Sequence, residues 1–234
     1  MKHRSLLNDQ LFKFIVRPGR KKINVQADVF ARLSRPLNAI VNGNFTEGKD
    51  ECTTWEQVDE NTFDGLRQFA YCGDSVHHMY NDKKKNERVS IIRIRENDYY
   101  VEETRSDGRI EVDVFDDEPC ENLLELMMHH AQLHVLAYKY CIEELVRITT
   151  AKLGKLLHNL IITQESVKDI VYLIQYIFEH TLPQDPAREL LTYFGAIIIH
   201  DIYNDEDFVE TALSVPDFLL AVFKKVTMYR VNKG

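Results

Sequence analysis

LFKFIVRPGRKKINVQ, residues 11–26, decides how the rest of the chain is read. Phe12, Phe14 and Val16 alternate with Lys13 and Ile15, close to the two-residue period of a strand with one buried face. Pro18-Gly19 supplies a turn, and Lys22–Gln26 returns with Ile23 and Val25 on one face. The stretch therefore predicts a β-hairpin.

Outward from the hairpin, a helix is expected from Ala27 to about Leu33, interrupted by Pro36. Leu37, Ile40 and Val41 recur at helical spacing until Gly43. Thr53–Val58 is a short strand containing Trp55, and Asp59 caps a helix with an apolar face of Phe63, Leu66, Phe69 and Ala70. That helix stops at Tyr71-Cys72-Gly73-Asp74. The order strand, strand, helix, helix, strand, helix is an α+β pattern.

Residues 82–118 differ in character. Lys83–Lys85 opens them, Asp116–Glu118 closes them, and eight basic residues stand against twelve acidic ones, half of the chain's net charge of −8. Three β-like pieces, Val89–Arg95, Tyr99–Thr104 and Ile110–Phe115, are separated by Glu96-Asn97-Asp98 and Ser106-Asp107-Gly108. Charge on both faces reads as a solvated β-meander or a partly ordered insertion.

From Glu121 onward the period is helical. Leu123, Leu126, Met127, His130, Leu133, Leu136, Ala137 and Tyr140 form the first stripe, and Leu145, Ile148, Leu153, Leu156 and Leu157 the second, over about 143–160. A third helix follows Thr163, with Val167, Ile170, Val171, Ile174, Ile177 and Phe178. Asp185-Pro186 opens a fourth carrying Leu190, Leu191, Phe194, Ile197 and Ile198. Asp205 caps a short fifth, and Pro216 starts a last one through Phe218, Leu219, Val222 and Phe223.

Composition narrows the function classes. The chain has 234 residues, 29 Lys+Arg against 37 Asp+Glu, and 44% hydrophobic residues, as a globular protein does. The acidic balance disfavours direct binding to nucleic acid and to membrane surfaces. Arg20–Lys22 is a hairpin tip too short to read a nucleic acid. No segment reaches the roughly 18 apolar residues of a membrane span: Lys168, Asp169, Gln175, His200 and Asp201 break the densest runs. MKHRSLLNDQ at the start lacks the apolar core of a secretory signal, and Cys52, Cys72, Cys120 and Cys141 show no metal or disulfide spacing. A reduced protein of the cytoplasm or nucleus is expected.

Catalytic chemistry finds little to stand on. His130 and His134 have the four-residue spacing of two metal ligands on a helix, but HAQLH carries no acid after the first histidine and no third ligand is placed nearby. A hydrogen-bonded core or half-buried His130 and an interfacial His134 are the expectation; a metal-dependent enzyme built on the 129–134 helix is the alternative. His77-His78 reads as exposed loop. Asn204–Phe208 reads as a solvated helix start, Cys72 has no recognisable base, and isolated glycines form no phosphate loop. No catalytic, cofactor or metal site is expected.

Three strings resemble the BTB/POZ domain, and within it the fungal type. LLNDQLFKFIV through KINVQADVFARLSRPLNAIVNGNFTE is similar to the family's opening hairpin and first two helices. TWEQVDENTFDGLRQFAYCGDS is similar to its strand and helix ending in Y-x-G-x-Y, and LLELMMHHAQLHVLAYKYCIEELVRITTAKL to the fungal L-L-x-H-A-x-x-Y-x-L-A-D-K-Y signature. Gln26, Ser75 and Tyr138 depart from the family's histidine, tyrosine and aspartate, while His130 falls on its structural histidine.

The resemblance implies an α+β BTB/POZ fold over 5–158, a small mixed sheet with a helical cluster, interrupted by the insertion 82–118. A helical BACK-like extension would follow over 159–234. It implies a non-catalytic protein–protein interaction module acting as scaffold or adaptor, self-associating as a homodimer or pairing with other BTB proteins. Asp9, Val25, Phe30 and Leu37 are the interaction residues so implied. Some members bridge a cullin scaffold of a ubiquitin ligase through a hydrophobic-x-Glu motif, and Phe45-Thr46-Glu47 stands at that place. The same string also serves the fold if Phe45 packs on the domain edge. A transcriptional co-regulator recruiting through the BTB domain is a further alternative, though the chain has no basic DNA-binding segment.

Overall fold

The computed structural model describes residues 10–43, 48, 50–73, 90–95, 98–103 and 123–231. These form a mixed α+β fold with a small three-stranded sheet and a majority of helix. The chain divides into two compact units, one made of 1–80 and 132–147, the other of 81–131 and 148–234.

In the first unit, β1 (Leu11–Arg17) and β2 (Lys21–Gln26) pair antiparallel, with Phe12 opposite Val25 and Phe14 opposite Ile23. Phe12, Phe14, Val16, Ile23 and Val25 are buried, whereas Lys13, Lys22 and Asn24 are exposed. One face of the hairpin therefore meets the core and the other meets water. The turn follows a cis Arg17–Pro18 peptide, and its left-handed position is Arg20 rather than Gly19.

α1 (Ala27–Ala31) ends two residues short of the expected Leu33. Pro36 sits in the first turn of α2 (Arg35–Asn42), where a missing N–H costs nothing, and Ser34 accepts from the Leu37 N–H at 3.3 Å. These two helices carry the chain back so that β3 (Cys52–Asp59) lies parallel to β1, giving the order β2-β1-β3.

Asp59 then caps α3 (Glu60–Cys72), accepting from Thr62 N at 2.8 Å and from Thr62 Oγ1 at 2.9 Å. Gly73 ends the helix at φ 78° and returns its N–H to Phe69 O. Phe14 is the hub of the core, with ring centroids 5.1 Å from Phe12, 5.4 Å from Phe30, 4.8 Å from Trp55 and 5.1 Å from Phe63. Rings at such separations add attraction beyond the area they bury.

Residues 132–139 of α4 (Leu123–Lys139) and the start of α5 (Glu143–His158) belong to the same unit. Between them the chain reverses in a six-residue motif. Ile142 N donates to Ala137 O at 2.9 Å and Cys141 N to Tyr138 O at 3.1 Å, with Cys141 at φ 54°. This is the Schellman pattern, with a cysteine in the position glycine usually takes.

In the second unit, β4 (Ser90–Arg95) and β5 (Asp98–Glu103) form an antiparallel hairpin with Arg95 opposite Asp98. The expected third piece, 110–115, and the Asp107-Gly108 turn lie outside the described residues. The helices that follow are α6 (Gln164–His180), α7 (Pro186–Ile202), α8 (Glu206–Ser214) and α9 (Pro216–Val231). Their starts are capped by Thr163 with Ser166 in a reciprocal box, by Asp185 on Ala187 N at 2.8 Å, and by Asp205 on Phe208 N at 3.0 Å.

Phe218 centres this unit, edge-on to Phe178 at 5.4 Å and to Phe208 at 6.3 Å. The end of α6 is held by Arg188 of α7. Its Nε donates to Thr181 Oγ1 at 3.0 Å, its Nη2 to the carbonyls of Phe178 and Thr181, and its guanidinium lies over the Phe178 ring at 4.7 Å. A cation satisfying the last carbonyls of a helix complements both their unpaired acceptors and the dipole.

The expected apolar stripes are corrected at three positions. Ile197, Leu219 and Phe223 are exposed, whereas Ile198, Phe218 and Val222, beside them in the chain, are buried. A stripe read from hydrophobicity is wider than the strip a neighbouring helix covers.

Candidate protein-interaction surfaces

The hairpin brings an unusual charge to the first unit. Lys13, Arg17, Arg20, Lys21 and Lys22 lie within residues 11–26, which contain no acid. Two of them reach acids on the elements after the crossover: Arg17 Nη2 meets Glu56 Oε2 at 2.8 Å, and Lys21 pairs with Glu60. Exposed pairs of this kind contribute little stability, on the order of 0.2–1 kcal/mol, but they fix which charges remain on the surface. Among the described residues β2 is an edge strand, and at its end the Gln26 N–H donates to the Tyr71 hydroxyl at 3.0 Å. Tyr71 and Leu11 are both about half exposed beside it.

Of the expected interaction residues, Val25, Phe30 and Leu37 are buried in this unit, Phe30 and Leu37 completely. They fill the core under the hairpin and first two helices, and the exposed side chains beside them are Gln26, Asp28 and Arg35. Asp9, Phe45 and Glu47 lie outside the described residues.

A second feature of the unit was not singled out in the sequence. Trp55 and Tyr140 stack with centroids 4.5 Å apart and planes 14° apart, and Lys139 Nζ stands 5.7 Å from the Tyr140 centroid. Burial pushes the Tyr140 hydroxyl up to about 12. Nearby, Arg147 grips Glu144 with Nε–Oε2 3.0 Å and Nη2–Oε1 2.6 Å. The hydrogen bond to Arg147 holds the Glu144 carboxyl below its ordinary value.

The three histidines of α4 are all buried, His134 completely: His130 takes the core position, one of the two expected of it, and His134 lies deeper than the interfacial position expected. The rings of His129 and His130 lie 5.5 Å apart, and that of His134 stacks with Tyr138 at 6.5 Å. Among the described residues no three His, Cys, Asp or Glu side chains form a group able to hold a metal ion. His77 and His78 lie outside the described residues. Cys72 and Cys141 are exposed. Among the described residues, no helix is long and apolar enough to cross a membrane.

In the second unit exposed apolar side chains stand on the last two helices, Val209 and Leu213 on α8 and Leu219, Leu220 and Phe223 on α9, and also elsewhere, at Ile161, Tyr172, Leu182, Ile197 and Tyr203. Helix spacing was the available signal, since 209 and 213, and 219 and 223, are four residues apart.

No protein-family model matches the chain, and no curated protein matches it.

Proposed function

We propose that the chain is a non-catalytic protein–protein interaction module of the BTB/POZ kind, associating with itself or with related chains as a scaffold or adaptor. The observation that carries this reading is the build of the first unit. A hairpin, two short helices, a third strand parallel to the first and a capped helix follow in the order the resemblance leads one to expect. The helices after residue 158 extend the module. The hairpin, with its lysines turned to water, is the face offered to the partner, and Phe45-Thr46-Glu47 is the string offered to a cullin scaffold.

The test uses equal amounts of ordinary and heavy-isotope chain, incubated together at micromolar concentration and treated with an amine cross-linker. Mixed-isotope links among Lys13, Lys21 and Lys22 support association through the hairpin. Links there only within single chains, together with a failure to retain any related BTB chain or cullin in a pull-down, would retire the proposal. A cullin retained by the parent and lost from the Phe45→Ala, Glu47→Ala chain supports the adaptor role.

A further inference from the structure

We infer that the outer edge of β2 takes an extended acidic segment of a partner protein as a further strand of the sheet, which rests on the hairpin being the face offered to partners. Two hydrogen bonds fix the backbone directions along β2. Ala27 N–H donates to Gln10 O at 2.9 Å, on the β1 side, whereas Gln26 N–H donates to the Tyr71 hydroxyl at 3.0 Å, on the other. Successive peptide groups of a strand point to opposite sides, so Ile23 and Val25 bond to β1 while Lys22 and Asn24 turn their N–H and C=O groups outward. Tyr71 closes the edge at Gln26, and among the described residues no strand pairs with the rest of it.

The side chains of Lys22, Asn24 and Gln26 are exposed and share one face of the hairpin with Lys13, which lies opposite Asn24. Ile15 lies opposite Lys22, so the two lysines are diagonal neighbours on that face. Arg17 pairs with Glu56 and Lys21 with Glu60, but among the described residues no acid pairs with Lys13, Arg20 or Lys22. The edge thus combines outward main-chain groups with uncompensated positive charge.

That charge selects the occupant. The main-chain bonds of an added strand are indifferent to its sequence, and side chains supply the preference. Lysine on an open edge repels a basic strand and deters a neutral one, the usual defence against unwanted pairing. Opposite charges across a strand pair attract instead. Residues of an added strand that share the lysine face alternate with those that do not, so acids at every second position place one beside Lys22 and leave the next toward Arg20 at the hairpin tip.

Fluorescence anisotropy of a labelled peptide alternating threonine with glutamate, titrated with the full chain, tests this. Saturable binding that weakens with added salt is expected, and glutamine in place of glutamate weakens it roughly tenfold. N-methylation of one alternate set of peptide amides abolishes binding and of the other set leaves it, because only one set faces the edge. Lys22→Glu weakens binding by roughly tenfold. Asn24→Pro, which removes one outward N–H at a place where an edge strand tolerates proline, keeps the parent's circular dichroism and also weakens binding. No saturable binding, equal effects of the two methylated sets, or parent-like binding by both Lys22→Glu and Asn24→Pro would overturn the inference. Mixed-isotope hairpin links without peptide binding overturn it and leave the proposed association standing, whereas peptide binding without such links supports it against that association.

Discussion

Gly195 of α7 faces Phe218 of α9 so closely that a β-carbon on the glycine would stand 2.8 Å from Phe218 Cζ, and 3.3 Å from Val222 Cγ2. Phe218 is fully buried between Phe178 and Phe208 and has no open direction in which to yield. The absent side chain sets how near the two helices approach. Gly195→Ala gains about 1 kcal/mol of helix propensity and loses about 1–3 kcal/mol to overpacking. A net loss of about 1 kcal/mol is expected in urea unfolding, and Gly195→Val loses more. Phe218→Leu combined with Gly195→Ala costs less than the two single effects added, because the smaller side chain vacates the clash.

Cys141 occupies a left-handed position, at φ 54°, that glycine adopts without steric cost. The hydrogen bonds around it, Ile142 N to Ala137 O and Cys141 N to Tyr138 O, involve only backbone, so Cys141→Gly keeps them. The expected outcome is a gain of about 0.5–1 kcal/mol by chemical denaturation. Cys141→Val, β-branched at the same dihedral, loses at least as much.

Tyr140 gives the first unit a pH dependence with a defined sign. Its hydroxyl ionises near 10 when unfolded and only at about 12 in the stack against Trp55. The folded state therefore holds the proton longer, and the stabilisation is complete below pH 10 and disappears as pH rises from 10 to 12. Stability measured through that window falls in the parent and falls less steeply in Tyr140→Phe. Difference absorbance at 295 nm shows one late-titrating tyrosine in the parent that is absent from the variant.

Local patterns carried much of the architecture. Alternation in Leu11–Val16, the cap at Asp59, the stop at Gly73 and the Asp185-Pro186 start are short-range signals that the chain obeys within a few residues. Other features depend on residues far apart in sequence. The parallel pairing of β1 with β3 leaves no mark inside either strand, and the meeting of Gly195 with Phe218 needs the approach of two helices. The Cys141 turn escaped notice because a reversal of this kind is recognised by glycine, and the backbone here adopts it without one. Among the candidate site residues, Val25, Phe30 and Leu37 follow from the family resemblance alone, and their apolar character suits the core they occupy. The exposed stripe of Leu219 and Phe223 merged with the buried one because hydrophobicity does not say which of two adjacent faces a neighbour covers.

Arg188 makes the helices of the second unit mutually dependent in time as well as in space. Its guanidinium ends α6 while its own backbone lies in the first turn of α7, and its Nη1 is 3.8 Å from Asp217 at the start of α9. Opening the junction between α6 and α7 strands a nearly buried cation and two helix-end carbonyls, so fraying there carries the penalty of a much larger opening. Amide hydrogens at 177–181 should then exchange with deuterium no faster than those in the middle of α7, a protection that helix termini ordinarily lack.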